Sequence, residues 1–162
     1  MKGKIGLKIF SCTLMILFIV IFSKWNSELN KNTRYIENKL SEVKLEETGT
    51  VKDLFDLDYD ILYVFRPYES KAEMEEQIGF KDNILKETVN EGMVNVLLVK
   101  ENSPVTYLYG YPSNIGYYID LPVGSYTKQE LDSIRYTATA SQVEHISESP
   151  KIFTIYKLHI YD

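Results

Sequence analysis

Residues 58–80, DYDILYVFRPYESKAEMEEQIGF, read as strand, turn, capped helix and stop, and the rest of the chain is arranged around them. Ile61-Leu62-Tyr63-Val64-Phe65 is an unbroken apolar, β-prone run, of a length that suits a strand buried on both faces. Arg66-Pro67-Tyr68 breaks it, because proline brings no amide hydrogen to a ladder and disfavours helix at the residue before it. Ser70-Lys71-Ala72-Glu73 has the spacing of a capping box, in which serine and glutamate satisfy each other's backbone amides. Met74 and Ile78 then stand one helical turn apart, and Gly79 supplies the left-handed residue that closes such a helix.

Downstream, Ile84, Leu85 and Val89 predict a short helical or irregular segment, closed by Asn90-Glu91-Gly92. Met93–Val99 is a second continuous apolar strand. Val105–Tyr111 alternates and forms a hairpin with it across a loop of about five residues. Tyr117–Leu121 is extended, and Thr127-Lys128-Gln129-Glu130 repeats the capping-box spacing to open a short helix through Ile134. Arg135–Thr139 is β-prone. Ile152–Tyr161 is the last strand, with Ile152, Thr154, Tyr156, Leu158 and Ile160 on one face. Upstream, residues 26–47 are polar with Ile36, Leu40 and Val43 on one stripe, which predicts a helical stalk or a first amphipathic helix with Thr33 as its cap. Val51–Phe55 is a short strand edge or a single helical turn. The fold class expected is α+β: a mostly antiparallel sheet of about four to six strands over residues 48–162, with two or three short helices packed on one face.

One transmembrane helix is expected ahead of that domain. Lys2, Lys4 and Lys8 precede Ile9–Ser23, fifteen uncharged residues of which eleven are Ile, Leu, Phe, Val or Met. With Lys8 snorkelling, Ile5 to Trp25 reaches about 31 Å as a helix, enough for a hydrocarbon core of about 30 Å. Trp25 and Lys24 then mark the far interface. A cleaved signal peptide needs small residues one and three positions before the cut. Ile21 and Trp25 occupy the third position for cuts after Ser23 and Ser27, so the anchor over residues 9–25 is read as uncleaved. Cys12 lies near the start of the apolar run, where a lipidated cysteine would follow it, and reads as a small apolar residue of the helix. Residues 1–8 are expected in the cytoplasm and the C-terminal domain outside the cell membrane, in a single-pass protein.

The four lysines among residues 1–25 leave 14 basic against 23 acidic groups in the remainder, a formal charge of −9. Such a domain repels nucleic acid and anionic membrane surfaces, so no nucleic-acid partner is expected. A single cysteine excludes a disulfide framework and a thiolate metal site. The alternating Asp53, Asp56, Asp58 and Asp60 resemble the start of a calcium loop, but Ile61 and Pro67 stand where that loop needs glycine and glutamate. They read as a solvated loop leading a strand. Neither His145 nor His159 lies in a motif, no phosphate-binding or nucleophile motif occurs, and Glu75 and Glu76 diverge on a helix face. Asp120 is no better placed as a base than the other acids. No catalytic residue, cofactor or metal is assigned.

Tyrosine is in excess, 13 against seven phenylalanines and one tryptophan. Tyr107, Tyr109, Tyr111, Tyr117, Tyr118 and Tyr126 are interleaved with Gly110, Pro112, Asn114 and Gly116. Tyr107, Tyr109 and Tyr111 read as one sheet face under helices. Tyr117, Tyr118, Asn114 and Tyr126 are the candidate partner-binding residues, because rigid tyrosines beside small polar residues suit sugar-binding and protein-binding surfaces alike. The segment with Tyr59-Asp60, Phe65, Pro67-Tyr68, Ser70, Glu73–Gln77 and Gly79-Phe80 resembles a motif of small bacterial lipoproteins and membrane-anchored envelope proteins. The following apolar strand and Tyr111-Pro112 extend the likeness to residues 48–125. The resemblance implies a domain facing the envelope and brings no activity with it. This chain departs from the lipoprotein members in using a membrane helix. The expected function is a non-catalytic, monomeric binding module that engages another envelope protein, in an immunity-like or assembly role. A hydrolase of envelope polymers or a wall-binding domain is the alternative.

Overall fold

A computed structural model describes residues 27–144 and the backbone of 152–161, with side chains described over 27–139. Expectations for residues 1–26, including the anchor and Cys12, lie outside the described residues. So do those for His145 and for the side chains of the last strand, His159 among them.

The decisive stretch folds as its pattern predicts. Ile61–Val64 is strand β2, flanked on one side by β3 (Val94–Lys100) and on the other by β6 (Gly124–Thr127), both antiparallel. Strand β4 (Ser103–Gly110) completes a four-stranded sheet of order β4-β3-β2-β6. Side chains alternate across this sheet into two cores. Leu62, Val64, Val96, Leu98 and Leu108 enter a larger cluster, while Tyr63, Phe65, Leu97, Val99 and Tyr107 enter a smaller one on the opposite face. Helix α3 (Lys71–Ile78) covers the smaller cluster with Met74 and Ile78. Its capping box is made as expected, and Gly79 ends it at φ 80°.

A second four-stranded sheet, of order β1-β7-β8-β5, closes the larger core: β1 (Thr48–Thr50), β7 (Arg135–Glu144), β8 (Ile152–Tyr161) and β5 (Tyr117–Asp120). The chain is therefore α+β with two sheets where one was expected, and β5 runs parallel to β8 while all other pairs are antiparallel. The switch occurs at Leu121-Pro122-Val123, which leads from β5 in one sheet to β6 in the other. Ile119, Leu121, Tyr136 and Ala138 meet the larger cluster from this side. At Gly49 a Cβ would lie 2.8 Å from the Tyr136 ring, so only glycine lets β1 approach it.

Helix α1 (Glu28–Glu42) is part of the domain and not a stalk. Ile36, Leu40 and Val43 are buried in the larger core. Ser27, not Thr33, caps it, accepting a bond from the Asn30 amide. Thr33 is one turn in and accepts instead from the Tyr107 amide of β4 at 3.3 Å. Val51–Leu54 is the single helical turn α2, Pro112–Ile115 is α4 and Lys128–Ser133 is α5, the last opened by the Thr127–Glu130 capping box. Five helices thus occur among the described residues where two or three were expected, two of them single turns too short to announce themselves by periodicity. The β3–β4 loop is only Glu101-Asn102, both at positive φ (47° and 63°), in place of five residues. Positive φ at both central positions is the geometry that matches strand twist in a two-residue hairpin.

Candidate functional site

The turn that follows β2 is built around one buried carboxylate. Glu69 is 2% exposed. Its Oε2 accepts the Arg66 amide at 2.8 Å, and its Oε1 takes the Arg66 guanidinium at 3.4 Å and the Gln77 amide group. The turn wraps this carboxylate and carries Tyr68 at φ 61°. Left-handed backbone at a residue bearing a bulky side chain is uncommon and persists only when its surroundings hold it. Here the Tyr68 amide is tied to Thr88 Oγ1 at 3.1 Å, and Tyr68 itself projects, 62% exposed. Accepting from the Arg66 amide, the Arg66 guanidinium and the Gln77 amide group, the Glu69 carboxylate is a scaffold for the turn.

Thr88 belongs to residues 81–93, which have no helix or strand. Several neighbours fasten this strap. The Tyr107 hydroxyl accepts from the Lys86 amide at 3.0 Å and donates to the Lys86 carbonyl at 3.3 Å. The Tyr109 hydroxyl donates to the Glu87 carbonyl at 2.8 Å, and the Lys71 amide donates to the Glu87 carboxylate at 3.0 Å. The two tyrosine rings stack at 5.7 Å. Burial pushes the Tyr107 hydroxyl well above its ordinary pKa, against its hydrogen bond with the Lys86 backbone, so it stays neutral and keeps donating. Val89 is left 70% exposed beside the pinned Thr88.

Strand register gathers these groups at one end of the β4-β3-β2-β6 sheet. Val64 pairs with Gly124, and Val94 pairs with Gly110. The residues just beyond are Tyr68 after β2, Tyr111 after β4 and Val123 before β6. Tyr68, Val89, Tyr111 and Val123 are four of the six large exposed hydrophobics among the described residues, so exposure is concentrated and not scattered. The Arg66 side chain, 60% exposed, stands beside them. We call this end the tip.

The sequence-derived contact residues fare differently. Tyr117 is 2% exposed and lies in the larger core, which corrects its assignment to a contact surface. It faces inward because β5 is an element of the second sheet, with Tyr117 and Ile119 on the same side. Tyr118 and Tyr126 are half-buried and pack on that core, the Tyr126 hydroxyl donating to the Pro122 carbonyl at 2.7 Å. Asn114 alone of the four is exposed, on α4 directly after Tyr111. Of the expected tyrosine face, Tyr107 and Tyr109 do line one sheet face, under the strap, and Tyr111 leaves it for the tip.

Tyr68 was legible as a turn residue and missed as a projecting one. The local sequence carries no signal for it, because one of the bonds that hold its backbone comes from Thr88, twenty residues on.

The alternating acids of residues 53–60 diverge to separate tasks. Asp53 caps α2 with Thr50, Asp56 pairs with Lys39 at 2.8 Å, Asp58 pairs with Lys100, and Asp60 accepts the Glu101 amide at 3.0 Å. Partial desolvation pushes the Asp56 carboxyl up, but hydrogen bonds from Lys39 and Tyr35 outweigh it and leave it below its ordinary value. No family model matches the chain, and no curated protein or solved structure was found to be similar to it.

Proposed function

We propose that this chain is a membrane-anchored, extracytoplasmic, non-catalytic module that binds another envelope protein through the tip. The observation that carries the reading is Tyr68: an exposed aromatic in a left-handed conformation that the buried Glu69 carboxylate and Thr88 hold in place. Tyrosine and arginine are the residues that most often dominate protein contacts, and a backbone already held in the bound conformation lowers the ordering cost of binding. Tyr111, Val89 and Val123 extend the apolar area around it, and Arg66 gives it a polar margin. The occupant is a protein with a basic surface, because the residues beyond 25 carry 14 basic and 23 acidic groups. The anchor over residues 9–25 and the outward location of the domain are part of this proposal.

Photocrosslinking in intact cells tests it. A photoreactive residue at position 68 or 111 is expected to give one discrete protein adduct, whereas the same residue at Leu45, exposed but outside the tip, gives none. Smeared glycan adducts from position 68 would favour wall binding. Equal adducts from positions 45 and 68 would remove the tip as the site.

A further inference from the structure

The base of the domain, opposite the tip, is where the preceding chain arrives. Ser27 caps α1 two residues after Trp25. The first turn of α1 lies against the β3–β4 turn, where Glu28 and Leu29 line a groove of about 500 Å3 with Leu57, Asp58, Lys100 and Pro104. Nothing between Trp25 and this contact can act as a spacer, since three Cα steps span at most about 11 Å. Nor can α1 swing free. Its Asn32 side chain donates to the Val105 carbonyl at 3.1 Å, Thr33 accepts the Tyr107 amide, and Ile36 and Leu40 are buried.

The β3–β4 turn is itself fixed to the loop before β2, through the Asp58–Lys100 pair and the Glu101 amide on Asp60. From Ser103 at the base, β4 runs to Gly110 at the tip, seven steps or about 23 Å.

We infer that this base stands on the headgroup layer of the bilayer and that the tip is thereby held about 20–30 Å out from it. The inference rests on the anchor reading above and adds an orientation to it. The base carries three acids and one lysine (Glu28, Asp58, Glu101, Lys100), so it does not enter hydrocarbon, and the anchor, not charge attraction, holds it at the headgroups. The partner is accordingly an extramembrane domain that reaches the tip from the aqueous side. A neighbouring membrane protein that ends at the headgroups is too short to touch Tyr68.

Fluorescence quenching in vesicles decides this. The full chain carrying Cys12→Ala is given one new cysteine, Ser103→Cys at the base, or Val89→Cys or Asn114→Cys at the tip. Each is labelled and reconstituted in phosphatidylethanolamine and phosphatidylglycerol vesicles bearing a headgroup-attached quencher in both leaflets. The label at position 103 is expected to be quenched several-fold more than those at 89 and 114. Vesicle flotation of the protein with equal quenching, or with stronger quenching at the tip, overturns the orientation and leaves the anchor standing. Failure of the chain to float with vesicles overturns both.

Discussion

At φ 61° the Tyr68 backbone carries a penalty of about 1–2 kcal/mol that a residue without a Cβ escapes. Tyr68→Gly should therefore raise the urea midpoint, by about 1 kcal/mol in stability, while it abolishes the crosslink partner's binding. Glu69→Ala should do the opposite to stability, costing about 1–3 kcal/mol by orphaning the donors of Arg66 and Gln77. A destabilising Tyr68→Gly would mean that the ring packs on the domain and is not held out for a partner. Tyr59 offers a test of a different kind. Its hydroxyl is buried and has no hydrogen-bond partner among the described residues, and burial pushes its pKa up to about 12 from the ordinary 10. A phenol whose folded pKa is raised contributes stability that is complete below pH 10 and is lost as the pH climbs through 12. Tyr59→Phe should leave stability near neutral pH almost unchanged, since no bond is lost, and should flatten the alkaline fall. An unchanged alkaline slope in denaturant melts from pH 9 to 12 would count against this.

Among the elements, α1 is the one whose role the structure decides between two open readings. Its polar composition with one apolar stripe was readable as a stalk or as a packed helix, because both need only Ile36, Leu40 and Val43 on one side. Burial of all three decides it. Leu40→Ala should cost about 2–5 kcal/mol, and a chain beginning at residue 46 should lack a cooperative urea transition that a chain beginning at residue 27 retains. Cooperative unfolding of the shorter chain would show that α1 is an accessory. Phe65, 4% exposed and stacked on Tyr63 at 6.1 Å between their rings, belongs to the core that was expected, and Phe65→Ala should cost about 3–5 kcal/mol.

For the whole molecule, the proposal requires residues 1–8 inside and residues 26–162 outside the cell. Protease shaving of intact cells should remove the domain and leave a membrane fragment that ends near residue 27, read by its mass. A free mature protein in the medium, beginning near residue 28, would contradict the anchor. The acidic balance makes the further demand that partner binding weaken with salt, since opposite charges on exposed surfaces are screened within about 10 Å at 0.1 M.

Read alone, the sequence determined the local elements whose signals are local. β2, the capping boxes at Ser70 and Thr127, the glycine stop at Gly79 and the apolar β3 each follow from residues within a turn or a strand of one another. Tertiary structure decided what depends on distant pairing. The division into two sheets is set by β5 joining β8 across about forty residues, and no alternation within Tyr117–Asp120 records it. The same pairing sends Tyr117 inward. At the tip, Tyr68, Val89, Tyr111 and Val123 come to one end of the sheet because β2, β4 and β6 end together, and the Tyr68 backbone is held by bonds to Glu69 and Thr88. A side chain's exposure is a property of what packs against it, and those partners come from other parts of the chain.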